Sequence, residues 1–266
     1  MSDDNRLVER VEERTTPRTP VIYEAVRRLG NDEMARPLTS LWWSGLAAGL
    51  SISFSLLAQG ILTMYLPDAP WRQLVIALGY PVGFLIVVLS RQQLFTETTI
   101  TVVLPVMAKP TLTNMARAGR MWSIVLVANL LGTFIAAGFI AFAPAVTPEL
   151  RQHMLDISRH AVKHSWLEIG FQGITSGYVM AAMVWLIPAA GAAQFHVVYL
   201  MTWLIGAGGF AHIVAGSVEA FLLVCDGGVG LGEILAHFTA PVLAGNIVGG
   251  TVLFALISYA QVMKEM

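Results

Sequence analysis

Fifty consecutive residues, Ile169 to Val218, contain no Asp, Glu, Lys or Arg, yet they include the run Gly206-Ala207-Gly208-Gly209-Phe210-Ala211-His212. A segment this apolar belongs in hydrocarbon, where every backbone N–H and C=O must be satisfied within the protein. A glycine cluster interrupts a helix. Interrupted backbone at bilayer depth is tolerated where it lines a cavity or is buried in protein. A histidine at such a break is costly unless it has a task. The run therefore constrains the chain to a membrane protein with a broken helix, and it points to a solute path.

The rest of the composition agrees. Of 266 residues, 56% are hydrophobic and 12% are charged, against roughly a quarter charged in soluble domains; mean hydropathy is +0.66. A net charge of −1 gives no footing for a nucleic-acid partner. The single cysteine, Cys225, admits no intrachain disulfide. His153, His160 and His164 lie in a polar outer loop without cysteine, so no metal site is expected. Neither a phosphate-binding glycine loop nor a nucleophile elbow is present, which argues against an ATP-driven pump, an enzyme or a resident cofactor.

Residues 1–19 are polar and of mixed charge, which predicts disorder. They lack the apolar core of a cleavable signal, so the first span is expected to direct insertion. Thr19-Pro20 then opens a helix, with Thr19 as N-cap and Pro20 at the first helical position. Ile22, Val26 and Leu29 share one face, with Glu24, Arg27 and Arg28 off it. Such a helix can lie on the membrane surface or pack on the protein, and both readings stand. The chain divides into an N-terminal cytoplasmic segment, 1–37, and a six-span channel domain, 38–263.

At roughly 20 residues per span, uncharged runs place six: within Pro37–Pro67, within Gln73–Ala108 but interrupted by Arg91 and Glu97, within Met121–Pro148, from Ser165 to Pro188, from Phe195 to Cys225 with the glycine break, and within Ile234–Met263. Basic residues on the side of the termini outnumber those on the other side 11 to 4, which predicts cytoplasmic termini. The halves echo each other. Ala128-Asn129-Leu130-Leu131-Gly132-Thr133 in span 3 matches Gly245-Asn246-Ile247-Val248-Gly249-Gly250-Thr251 in span 6, with the asparagines 117 apart. Thr96 and His212 are 116 apart; Trp42, Gly45 and Gly49 answer Trp166, Gly170 and Gly173. Three spans per half make the repeat inverted, with a site expected near the midplane between the two broken helices. The fold class is thus all-α, six spans in two inverted three-helix repeats, broken at helices 2 and 5.

Candidate residues cluster at the breaks. Exposed half-helix N–H groups suit an anion, and Thr96 supplies a hydroxyl beside them or simply caps the second half-helix. His212 is either a hydrogen-bond and proton donor to a solute or a structural group bonded to a freed backbone carbonyl. Glu219, two turns beyond, is a relay partner or a satisfied structural group, bonded to loop amides or Arg91. Glu97 and Arg91 read most simply as a mutual ion pair bracing the first break.

These motifs resemble the formate/nitrite transporter family over about residues 20–262: QLFTET at 93–98, FAHIVAG at 210–216, and the paired asparagine segments. The resemblance implies an aquaporin-like protomer with its own pore, in a pentamer around a lipid-plugged axis. It implies pore roles for Thr96 and His212, an apolar constriction at Tyr80 and Phe84, a gating pair in Leu94 and Phe95, and Ile205 where the formate channel has phenylalanine. The chain departs from that channel at Ala211, where an acid stands, at Gly177 and Gly216, where asparagines face the histidine, and near Ala161, which aligns with the vestibule lysine. The nearest lysine is Lys163.

The resulting expectation is a bacterial inner-membrane channel or secondary transporter for small monovalent weak-acid anions such as formate or nitrite. Lys163 would attract the anion, the constriction would dehydrate it, and His212 would supply a proton. A pore for water or another small neutral solute is the alternative, favoured by the reduced polar neighbourhood of His212. A non-transporting scaffold would not need two broken helices. The expected partners are the small anion, the lipid bilayer and further copies of the chain.

Overall fold

A computed structural model describes residues 17–265. The expectation of disorder for residues 1–19 lies almost wholly outside them. The described chain is helical throughout. Helix α1, Thr19–Ala35, precedes α2, Leu38–Tyr65. Span 2 is split into α3, Arg72–Leu89, and α4, Phe95–Ala108; span 3 is α5, Leu112–Phe142. A helix α6, Pro148–Val162, follows. Span 4 is α7, Trp166–Ala190. Span 5 is split into α8, Gln194–Gly208, and α9, Ala215–Cys225, and span 6 is α10, Leu231–Val262. Five helical stretches are long and apolar enough to cross a membrane, because α7 and α8 run on as one stretch of 43 residues; α4 and α9 are the shorter apolar helices. The six crossings are therefore α2, α3 with α4, α5, α7, α8 with α9, and α10.

Several boundaries differ from the sequence reading. Arg18, not Thr19, is the N-cap of α1, and it makes no side-chain cap bond. Helix α1 packs on the protein, burying Tyr23, Val26, Gly30 and Met34; a Cβ on Gly30 would lie inside the carbonyl of Thr101. Span 4 does not stop at Pro188 but continues to Ala190 and turns at Gly191, whose φ is +50°. The polar outer loop is a helix, α6. Thr147 caps it by accepting from the Leu150 N–H, Pro148 and Glu149 follow, and Met154, Leu155 and Ser158 are buried. That capping signature was readable in the sequence.

Tight crossings, α2 with α5 in the first repeat and α7 with α10 in the second, hold each repeat together. A Cβ on Gly49 would sit 2.3 Å from the carbonyl oxygen of Asn129, and one on Gly132 would sit 2.5 Å from that of Leu46. In the second repeat, a Cβ on Gly177 would sit 2.4 Å from the Asn246 carbonyl oxygen and one on Gly249 would sit 2.0 Å from that of Ile174. Small residues let backbones touch where lipid supplies no hydrophobic drive between helices. These contacts correct the repeat register. Gly49 answers Gly177, not Gly173, and Gly177 serves helix crossing. Outside the crossings, Trp43, Phe54, Phe139, Phe171 and Leu200 are exposed, an apolar surface that lipid or neighbouring subunits accommodate. The rings of Tyr23 and Tyr259 lie 5.9 Å apart, so the described ends of the chain share one face. That face is called terminal below, and the opposite one distal.

Gly249→Ala is expected to lose roughly 1–3 kcal/mol or more, since the intruding methyl meets backbone. Gly138→Ala is the control: no atom lies within 4 Å of its Cβ, so it should be neutral or gain up to about 1 kcal/mol of helix propensity. Melting temperatures in detergent compare the two.

Candidate functional site

Each break is splinted by one buried asparagine. In the first repeat, Asn129 Nδ2 donates to the carbonyls of Gly45 at 2.8 Å and Gln93 at 2.9 Å, while its Oδ1 accepts from the Phe95 N–H at 2.9 Å. In the second, Asn246 Nδ2 donates to the carbonyls of Gly173 at 2.8 Å and Ala211 at 3.3 Å, and Oδ1 accepts from the Ile213 N–H at 3.0 Å. Ser176 joins this network, donating to the Ala211 carbonyl at 2.5 Å and accepting from Asn246 at 3.0 Å. Phe95 and Ile213 hold equivalent places, so the repeat partner of His212 is Leu94, and that of Thr96 is Val214. Thr96 and His212 are therefore not symmetry mates. They meet because the two breaks face each other.

The glycines of the second break have separate reasons. Gly209 takes the left-handed conformation, φ +64°, that ends α8. Gly206 leaves room for Tyr80, whose Cβ would stand 2.7 Å from an added methyl. At the first break the same left-handed turn falls to Arg91, φ +57°, a conformation that is costly for a non-glycine residue.

His212 is 1% exposed and Thr96 is fully buried, and their side chains meet, Nε2 to Oγ1, at 2.9 Å. His212 Nδ1 accepts from the N–H groups of Val214 and Ala215, each at 3.2 Å. An acceptor at Nδ1 places the ring proton on Nε2, which donates to Thr96. The histidine thus caps the N-terminus of α9. Its structural bonds go to amides, not to the freed carbonyl expected from the sequence. Among the described residues the Thr96 hydroxyl has no acceptor.

Apolar rings surround the pair. Phe84 stands edge-on to the His212 ring at 5.1 Å, Tyr80 lies 5.2 Å from Phe84, and Ile205 is fully buried. Tyr80, Ile205 and His212 form the floor of a distal cavity of about 760 Å³. Leu94 and Phe95 are buried away from that cavity, and the Phe95 ring packs on Trp122 at 5.8 Å. Lys163 does not line the cavity either; it is exposed, with Nζ 2.8 Å from Nδ1 of His160, while Ala161 does line it. Burial and the neighbouring Lys163 hold His160 below its usual pKa. Gly216 also lines it, closed off by the Phe238 ring. Phe238, Gln59 and Gln172 are wall residues that the sequence reading missed; none carries a motif signal.

Arg91 and Glu97 form no ion pair, and Glu97 Oε1 is buried without a partner among the described residues. The group that braces the first break is Glu33 of α1. Its carboxylate accepts from Gln93 Nε2 at 3.1 Å and Thr101 Oγ1 at 2.6 Å, and burial raises its pKa. Glu219 bonds neither Arg91 nor loop amides; it faces the distal cavity.

Asn129→Ala and Asn246→Ala should each cost several kcal/mol, at about 1–3 kcal/mol per orphaned buried group. Asn129→Asp keeps the acceptor and loses both donated bonds, so its melting temperature should fall between wild type and Asn129→Ala. Equal stability of the alanine variants and wild type would remove the splint role.

Comparison with known proteins agrees with this geometry. The formate/nitrite transporter family model matches residues 20–260. Inner membrane protein YfdC of Escherichia coli is 45% identical over 98% of this chain and 84% of its own. The formate channel FocA of Haemophilus influenzae is 29% identical over 77% of this chain and 70% of its own. Among solved structures, a pentameric formate channel with formate bound superposes with a TM-score of 0.71 at 20% identity, covering 86% of this chain and 98% of that one. An FNT family ion channel gives 0.76 at 19% identity, covering 91% and 98%. The chain is a membrane transport protein rather than an enzyme, and it belongs to the formate/nitrite transporter family.

Proposed function

We propose that this protein conducts small monovalent weak acids of the formate or nitrite kind across the bacterial inner membrane, as a homopentamer with one pore per protomer and cytoplasmic termini. The 38–263 region is the pore domain, and 1–37 is its cytoplasmic attachment. The observation that carries the reading is the Thr96–His212 hydrogen bond at the facing breaks, directly under the distal cavity. It offers a solute the threonine hydroxyl proton, polarised by the Nε2–H that donates to the same oxygen, within an apolar collar. Bare charge is disfavoured in such a collar, which supports crossing of the acid together with its proton. The names of FocA and of the formate-bound pentamer support both the substrate class and the assembly.

The tautomer refines the proton role. A second ring proton at Nδ1 requires the Val214 and Ala215 amides to let go. In its resting arrangement His212 therefore acts as a neutral donor. The neutral-solute reading stays open on one observation: the deepest ionisable group in the cavity wall above His212 is an acid, Glu219.

His212→Asn should abolish proton-linked uptake of formate in proteoliposomes while the native mass remains that of a pentamer. His212→Leu should in addition lower the melting temperature, because two amides lose their acceptor. Normal proton-linked uptake in a folded His212→Asn pentamer sinks proton transfer through His212. Lys163→Ala, now placed off the cavity, should change uptake at low formate by less than about twofold; a larger, salt-sensitive loss would return Lys163 to the pathway.

A further inference from the structure

Deep in the distal cavity stands a carboxyl group without a partner. Glu219 on α9 is 8% exposed and lines the cavity, and among the described residues it makes no hydrogen bond or ion pair. It lies two helical turns beyond His212, close to the same face. The far end of α9 is distal, since Asp226 there lies 3.8 Å from Arg159 of α6. A solute from the distal side therefore passes Glu219 before it reaches the Thr96–His212 pair. An ionisable side chain at membrane depth is costly to keep, and a structural one would have found a partner.

The basic groups around the cavity are engaged elsewhere. Arg72 donates to the Thr63 carbonyl and stands 4.0 Å from Asp68. On α6, Arg159 pairs with Asp156 at 2.7 Å, Arg151 donates to the Ile140 carbonyl at 3.0 Å, and Lys163 turns to His160. The other helices packed against α9 bring uncharged groups. Helix α5 meets it through the rings of Phe134 and Phe221, 5.4 Å apart, and α2 adds the Gln59 amide to the cavity wall. A carboxyl group with neither a cation nor a donor beside it keeps its proton, because a bare buried charge costs far more than a neutral group. Glu219 thus stands in the cavity as a neutral acid with an O–H to give.

Such a group does not repel an anion. An O–H aimed at an anionic oxygen makes a short, charge-assisted hydrogen bond, about twice as strong as one between neutral groups. Few other donors are available at this depth: the Nε2–H of His212 already goes to Thr96. At about pH 7 a weak acid of the formate kind arrives almost wholly as its anion, and the apolar collar strips its water. We propose that Glu219, with its proton in place, is an anion-binding residue of the distal cavity, donating its O–H to an oxygen of the weak-acid anion above the collar. The proton stays on the glutamate and no bond is broken. This rests on the weak-acid reading above and names the group that first replaces the water of the anion.

The test has two arms, both on the full-length protein with formate as the probe. In proteoliposomes at about pH 7, initial uptake is measured against formate concentration. Glu219→Met removes the donor and keeps the bulk. It should raise KM about tenfold or more and leave the maximal rate within about twofold, as loss of uniform binding does. Glu219→Gln keeps an N–H donor of the same reach, so its KM should stay within about threefold of wild type. A wild-type KM in a folded Glu219→Met pentamer overturns the proposal. Equal losses in Gln and Met variants overturn it too, because they require the proton itself. Faster uptake in Glu219→Gln would show a charged, repelling carboxylate and overturns it as well. The second arm needs no apolar variant: the infrared carbonyl band of a protonated carboxyl, identified by its loss in Glu219→Gln, should shift in detergent-solubilised wild type when formate is added. Absence of that band, or its indifference to formate, overturns the proposal. Failure of wild type to take up formate, nitrite, acetate, lactate or hydrosulfide, with the formate-induced shift present, would instead defeat the function proposed above.

Discussion

The structure depends on the carboxamides of Asn129 and Asn246. A helix broken inside hydrocarbon exposes amides and carbonyls that water cannot reach, and each such group is expensive to leave unpaired. A carboxamide carries donor and acceptor on one short stem, so a single residue answers both ends of a break. Each asparagine reaches its loop only because the helices cross at glycine. The small residues at Gly49 and Gly132, and at Gly177 and Gly249, thus belong to the same device as the splints. With both breaks fixed, their tips are brought face to face, and Thr96 and His212 are set 2.9 Å apart.

The two breaks are built alike and used differently. Leu94 and His212 hold equivalent places, but Leu94 is a buried apolar side chain and His212 a hydrogen-bond donor to Thr96. His212 also performs a task that its counterpart cannot, accepting the first free amides of α9. One residue thereby joins the capping of α9 to the contact between the two breaks. The same economy appears on the terminal face, where Glu33 of α1 binds Gln93 and Thr101 and fastens the N-terminal helix to the first break.

The floor of the cavity is apolar around one polar pair. Three of the groups nearest the donor pair, Tyr80, Phe84 and Ile205, are buried and aromatic or aliphatic. Asp156 on the rim pairs with Arg159, and Lys163 turns its ammonium to His160, off the cavity lining. The polar groups left on the inner surface of the cavity include the His212 ring and the Glu219 carboxyl group.

The sequence by itself determined the membrane setting, the six spans, both breaks and the paired asparagines. Length, charge-free runs and repeated motifs are local signals, and lipid enforces them strictly. It also singled out Thr96 and His212, because a polar group at a glycine break is conspicuous against apolar surroundings. It misjudged their relation, since a two-residue difference in spacing cannot show which positions superpose across an inverted axis. Only the tertiary structure decided that Leu94 answers His212, that Gly177 serves a helix crossing, that Lys163 lies off the cavity lining, and that Arg91 and Glu97 form no ion pair. Spacing along a chain fixes the face of a helix. Which group another helix offers to that face depends on crossings made at glycines far away in sequence, and the side chains of Glu33, Phe238 and Glu219 took their places from those crossings.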